Sequence, residues 1–255
     1  MRYELFYKCG SAYCVAYSND SITWTKPELD NGFKTCAGTP CNVVLDVDYD
    51  GATVWLDLDT ANASRRYILA GAGLVFYSSP NGTRFVEEGK SGPTQDRSSI
   101  YKDALRDRWV YSIKASGPKT SPGRTRRYWE SEIGGDVVAG AHWGSISAAA
   151  PVPRGDPVQW LDSDILDQPN LACNGNTQLY NFDAVAYESV IIGLFSIITG
   201  KRCVPPRPFK RGGEQDAVYL GFSRDGFSFQ RSPVPSAYTR AAGILLSRCR
   251  ERLEP

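Results

Sequence analysis

The chain has 255 residues, 42% hydrophobic and 12% aromatic, and a formal net charge of +1 from 29 basic and 28 acidic side chains. Acids and bases are interleaved, so the sequence carries no electrostatic footprint for nucleic acid or an anionic membrane. Its longest apolar run, Val190 to Ile198, falls short of the ~20 residues needed to span a bilayer as a helix.

A length of this order can bury a large core, in one domain or two small ones. The 24 glycines, 16 prolines and abundant aromatics favour short strands joined by turns over long helices. The opening MRYELFYKCG has no apolar stretch of signal-peptide length and starts directly on strand-like alternation. Location is therefore open, with secretion or a lysosome-like compartment entering only if the true N-terminus lies upstream. Seven cysteines leave at least one unpaired. Cys9/Cys14 and Cys36/Cys41 share a C-x4-C spacing that matches no usual zinc pattern, so no metal or cofactor is expected. Buried thiols are favoured over disulfides.

From the N-terminus, residues 3–8 and 12–18 read as a hairpin around Cys9-Gly10-Ser11, and the turn Asn19-Asp20-Ser21 leads into a strand at Ile22–Thr25. A Gly- and Cys-containing loop follows. Strands are then predicted at 52–58, 66–72, 74–78 and 83–87, at 98–102, 108–114, 126–131 and 158–161, and at 184–192, 194–198, 216–222 and 227–230. A last strand-like piece, Ala241 to Ser247, precedes a charged tail at 248–255.

This order contains a repeat. Third strands end in a serine, then a polar turn, then a strand centred on an aromatic: AYS-NDSI-TW at Ser18, FYS-SPNGTR-F at Ser78 and GFS-RDGFS-F at Ser223. A degenerate copy, YWES-EIGG, ends at Ser131. The gaps are 60, 53 and 92 residues, the last holding long insertions. Four-strand units at this spacing predict a β-propeller in which the first strand of each blade lines a central channel. Three blades are complete, at 52–88, 98–161 and 184–230, and partial first and last blades flank them. The expectation is a single all-β domain over residues 1–247, a five-bladed propeller that is incomplete here. An open ring leaves strand edges unpaired, so the chain is expected to be a fragment unless residues 1–8 pair with 241–247.

In this phase the innermost strands carry Asp57, Asp96 and Glu188, with Asp183 beside the last. A carboxylate in a β-branched, aromatic segment is costly to bury unless paired or used, and its pKa tends to rise as a general acid requires. Carboxylates converging from separate blades suit glycosidic bond cleavage, in which one protonates the leaving oxygen and another acts as base or nucleophile. Against this, Asp57 and Asp96 could simply cap turns, and Glu188 could point to solvent. His142 is the only histidine and has no nucleophile elbow near it, so a serine triad is disfavoured. GAGLVF at 71–76 lacks the helix that a dinucleotide site requires. The basic cluster Lys119, Arg124, Arg126 and Arg127 reads as a solvated loop or, facing the channel, as a contact for an anionic sugar. Trp55, Trp129, Trp143 and Tyr187 are core residues by default and sugar-stacking platforms otherwise.

The segments TVWLDLD, Asp96-Arg97-Ser98-Ser99 with RWVYSIK, GRTRRYWES, LYNFDAVAYES and LGFSRDGFSF together resemble five-bladed β-propeller glycoside hydrolases. The nearest group is the invertase, levansucrase and arabinanase-like superfamily, near glycoside hydrolase family 32. The resemblance runs from about residue 3 to 247 and implies a sugar-cleaving site in the central funnel. It implies Glu188 as general acid and Asp96 as transition-state stabiliser; Asp57 follows from blade phase alone. Asp183, Arg97, Arg127, Trp129, Trp143 and Tyr187 are the candidate substrate contacts. Three departures stand out. The W-x-N-D-P-N-G segment that bears the family's nucleophile is missing, Gln95-Asp96-Arg97 stands in place of Arg-Asp-Pro, and Glu188-Ser189 replaces Glu-Cys. The sequence therefore predicts a glycoside hydrolase acting on an oligo- or polysaccharide. The alternatives are a non-catalytic carbohydrate-binding propeller or an inactive truncated relative.

Overall fold

The computed structural model describes residues 2–58, 60–117, 123–146, 156–167, 177–199 and 215–232. Everything regular there is strand, apart from two single 3-10 turns at Lys34–Cys36 and Ala63–Arg65. Among these residues no helix is long and apolar enough to cross a membrane. The strands form four antiparallel meanders whose neighbours follow chain order, the sheet type from which propeller blades are made. Among the described residues the expected count of five is corrected to four, three of them four-stranded and the first three-stranded. The piece at Ala241–Ser247, Lys119, Cys173, Cys203 and Cys249 lie outside the described residues.

The chain divides into two compact units, Met1–Ser91 and Gly92–Pro255. In the first, β1 (Tyr3–Cys9) and β2 (Ala12–Ser18) form the expected hairpin, with Gly10 at φ +65° making its turn. The third strand is β3 (Val43–Leu45), from the stretch read as a loop, whereas Ile22–Thr25 gives only an isolated bridge, Tyr17 to Thr25. Three apolar residues were too short a signal to separate from the glycine- and cysteine-rich sequence around them. Strands β4 (Ala52–Leu56), β5 (Tyr67–Gly71), β6 (Val75–Ser79) and β7 (Val86–Lys90) make the second sheet. The core gathers Tyr13, Val15 and Leu45 of the first sheet with Tyr67, Leu69 and Tyr77 of the second.

The other face of β1–β3 carries Ala12, Cys14 and Val43 with Cys9, Cys36 and Cys41. Here the expectation of buried thiols is overturned: Cys9 is bonded to Cys14 and Cys36 to Cys41. The five-residue separation that fits no zinc site fits a bridge across a tight turn, with Cα atoms 5.9 and 5.7 Å apart.

In the second unit, β8 (Ser99–Asp103), β9 (Arg108–Ser116), β10 (Arg124–Glu130) and β11 (Val158–Leu161) form one sheet. The other comprises β12 (Gln178–Tyr187), β13 (Val190–Thr199), β14 (Gln215–Ser223) and β15 (Gln230–Arg231). Tyr101, Val110 and Tyr128 pack with Phe182 and Ile191 to join them. Trp160 stands edge-on to Phe182 at 5.0 Å, and Phe182 to Phe229 at 4.9 Å. Gly193 is not the break between strands that its residue type suggests. It lies inside β13, where a Cβ would come within 2.9 Å of Phe182 and 3.0 Å of Phe229. The break is the two-residue turn Glu188-Ser189, which has no Asn-Gly signature to announce it.

The serine repeat is a hydrogen-bonded device. Ser223 Oγ donates to Asp225, whose carboxylate accepts from the backbone N–H groups of Phe227 and Ser228. Ser18 and Asp20 do the same for Ile22 and Thr23. In the second sheet the serine is Ser79 rather than Ser78: Ser79 Oγ accepts from the Gly82 N–H and Asn81 from that of Thr83. In the degenerate copy Ser131 Oγ accepts from the Trp109 N–H.

Candidate functional site

In the second unit, the start of β8, the end of β9 and the start of β10 meet the first half of β12. What brings them together is an irregularity in β12. Leu179 pairs with Ile197 and Asn181 with Ser196, leaving Tyr180 as an extra residue, a β-bulge. A bulged residue cannot use the ladder, so its carbonyl needs another donor. Arg126, fully buried on β10, supplies it: one terminal nitrogen donates to the Tyr180 carbonyl. The other donates to the Arg97 carbonyl at 2.6 Å. Arg97 is itself irregular, held at φ +54° just ahead of β8. One guanidinium thus ties together two backbone points that no regular strand would create.

Around this clamp stand two acids and further cations. Asp96, half exposed, is ion-paired to Lys114 of β9, whose side chain is 7% exposed. Asn181 donates to Asp183 at 2.6 Å, and Ser99 Oγ donates to the Phe182 carbonyl at 2.7 Å, holding β8 against β12. The Tyr180 ring carries Arg97 and Arg124 at 5.1 Å each and Lys114 at 5.8 Å. Arg124 also donates to Gln178 at 3.2 Å.

The electrostatics drive the two acids apart. Hydrogen bonding from Lys114 holds the Asp96 carboxyl below its usual range. Asp183 goes the other way. Its side chain stays exposed on β12, yet the loss of surrounding water raises its pKa, against the opposing pull of Arg126, Ser99 and Asn181. Burial also pushes the Arg126 guanidinium down to about 10, with both Asp183 and Asp96 acting to restore it. Two acids shifted in opposite directions around a shared buried cation form an arrangement suited to acid–base work.

The expected residues are distributed unevenly over this geometry. Asp96, Arg97 and Asp183 are brought together. Glu188 is not on the strand where it was expected: it occupies the exposed β12–β13 turn at φ +50°, at the opposite end of β12 from the bulge. Asp57 follows β4 in the first unit, where its N–H donates to the Arg66 carbonyl at 2.8 Å. Arg127 points to the other face of β10 from Arg126 and donates to the Pro157 carbonyl at 3.0 Å. Trp143 is buried edge-on to Tyr111 and donates to the Pro93 carbonyl at 2.6 Å, and Trp129 is half-buried against it. These contacts give both tryptophans packing roles. Tyr187, 59% exposed beside the Glu188 turn, is the one expected platform open to solvent.

Sequence reading left Tyr180, Asn181, Lys114 and Ser99 out of the site. The alternation Asn181-x-Asp183 on a strand was a usable signal, since both side chains fall on one face. The bulge left no local mark. Among the described residues no three His, Cys, Asp or Glu side chains gather as a metal site would require.

The sequence matches no family model and no curated protein. Similar solved structures include the endo-1,5-alpha-L-arabinanase from Thermotoga petrophila RKU-1, with 16% identity and a TM-score of 0.47 over 92% of this chain and 57% of that one. The same arabinanase in complex with TRIS aligns at 14% identity and a TM-score of 0.45, with the same coverage. The glycoside hydrolase family 43 YxiA protein from Bacillus licheniformis aligns at 11% and 0.41, over 88% of this chain and 53% of that one. The chain therefore spans little more than half the length of these proteins.

Proposed function

We propose that the site on β8 and β12 cleaves a glycosidic bond in an oligo- or polysaccharide, with Asp183 donating the proton to the leaving oxygen and Asp96 serving as its ionised partner. The observation that carries this reading is the gathering of two carboxylates, Asp96 paired to Lys114 and Asp183 bonded to Asn181, around the backbone clamp made by Arg126, with the two carboxyls shifted in opposite directions by their surroundings. Glycoside hydrolysis needs such a split, because one carboxyl must be protonated while the other bears charge. The resemblance of the sequence to propeller glycoside hydrolases supports the same reaction class. The exposed turn at Glu188 supports passing the acid role from that residue to Asp183.

Release of reducing sugar by the full chain from a panel of plant and microbial polysaccharides tests the reading. Asp183→Asn and Asp96→Asn should each lower the rate about 10²–10⁴-fold, and Glu188→Gln should leave it nearly unchanged. A collapse with Glu188→Gln, or full rates in both aspartate variants, removes the assignment. The Asp96–Lys114 ion pair favours one second reading, non-catalytic carbohydrate binding, because a carboxylate engaged by a buried ammonium is a weak base. Saccharide binding with no sugar release from parent or variants would establish it.

A further inference from the structure

Strand β1 is a sheet edge left open. The first sheet runs in the order β1–β2–β3, so β1 is hydrogen-bonded on one side, and no described residue pairs with its other side. Soluble proteins blunt such edges with proline, a bulge or a very short strand. Tyr3–Cys9 has none of these: it is seven residues long, lacks proline, and pairs with β2 from Tyr3–Ser18 to Cys9–Ala12 without a register shift.

The hairpin geometry fixes which groups the edge offers. Its turn is the two residues Gly10 and Ser11, with Gly10 at φ +65°, so Cys9 and Ala12 form the hydrogen-bonded pair that closes it. Alternation then directs the N–H and C=O groups of Tyr3, Leu5 and Tyr7 towards β2, and those of Glu4, Phe6 and Lys8 outwards. A second β1 running antiparallel matches this pattern when Phe6 meets Phe6. Glu4 of each copy then lies opposite Lys8 of the other, Leu5 lies opposite Tyr7, and all seven residues overlap. Other registers of the same hydrogen-bond phase shorten the overlap. They set Lys8 against Arg2, Glu4 against Glu4 or Lys8 against Lys8, or leave both charges unmatched.

We propose that β1 pairs antiparallel with β1 of a second copy of this chain, centred on Phe6, joining two three-stranded sheets into one of six strands. This surface is independent of the carbohydrate reading. The pairing forms about six main-chain hydrogen bonds and two cross-strand ion pairs. It also covers Tyr3 and Leu5, which are 40% and 45% exposed. Glu4 already bonds Arg2, and Lys8 already bonds Asp48 and the Tyr49 carbonyl. The second copy adds to these contacts, because a carboxylate accepts several donors and an ammonium has a third N–H to give. Two strand edges make a small interface, so the dimer forms with concentration rather than persisting at any dilution.

Sedimentation of the full chain over about 1–200 µM should show the mass rising from one chain to two. Over the same range hydrogen exchange should slow at the Glu4, Phe6 and Lys8 amides, a readout that needs no variant. Glu4→Lys and Lys8→Glu each oppose like charges across the edge and should weaken the dimer about tenfold or more. Mixed in equal amounts, the two variants should recover it, since each then meets the opposite charge at both positions. Leu220→Ser, on the exposed side of β14, should leave the mass unchanged. Circular dichroism checks that every variant is folded. A single-chain mass at all concentrations, a dimer without slowed exchange at those amides, or charge variants that mixing does not rescue overturns the proposal. So does a dimer lost with Leu220→Ser.

Discussion

Arg126 shows how one residue can hold a site without doing chemistry. Its guanidinium satisfies the carbonyls of Arg97 and Tyr180, which lie 29 and 54 residues away in the chain. Arg126→Lys keeps the charge but offers a single point donor in place of a planar fork. One buried carbonyl is then left unsatisfied, and denaturant unfolding should show a loss of about 1–3 kcal/mol. Asp96 acts differently. Asp96→Asn strands the Lys114 ammonium, and with Asp96 half exposed to solvent the loss should be nearer 1–2 kcal/mol than the full cost of breaking a buried pair. The sign with pH follows from the direction of the shift. The folded pKa of Asp96 is depressed, so its stabilisation is present above the unfolded carboxyl value and disappears as pH falls through the folded one. Asp183 is raised, so its ionisation costs stability as pH rises through the unfolded and then the folded value. Melting curves across pH should accordingly show Asp183→Asn gaining on the parent as pH rises and Asp96→Asn losing to it.

At the scale of elements, turns hold neighbouring sheets as well as connecting strands. Gly226, in the Ser223–Asp225 turn, sits at φ +73°, and a Cβ there would come 2.6 Å from Asp103 Oδ2 and 2.7 Å from Arg106 Nη2. Those two side chains are ion-paired to each other, and Arg106 also bonds Glu130 and the Tyr128 hydroxyl. The Gly226 carbonyl accepts from Tyr101 at 3.0 Å, so this turn is fastened to β8. Gly226→Ala therefore combines left-handed backbone strain with a clash against a half-buried ion pair, and its thermal midpoint should drop by the equivalent of about 2–4 kcal/mol. Turn chemistry of this kind was legible in advance, because serine, aspartate and glycine at fixed offsets specify their own hydrogen bonds. The two-residue turn at Glu188-Ser189 was not legible. Its residue types suggest no positive φ, and the apolar run around it offers no alternation to mark a strand end.

For the molecule as a whole, both observed disulfides belong to the unit ending at Ser91. Each closes a loop of about six residues, worth roughly 2 kcal/mol on chain-entropy grounds. Reduction should therefore hasten hydrogen exchange in β1–β3 and leave β8–β15 unchanged. Bridges of this type persist in oxidising compartments. Alternating apolar residues, turn-forming triplets and a recurring serine were enough to place most strands and to phase them into successive sheets, because each of those signals lies within a few neighbouring residues. Tertiary structure alone decided that Cys9 and Cys14 are joined, that β3 completes the first sheet, and that Asp183 rather than Glu188 shares its surroundings with Asp96. Those outcomes depend on burial, charge and backbone irregularity contributed by strands far apart in the chain, and a carboxyl's pKa is set by whatever surrounds it in space.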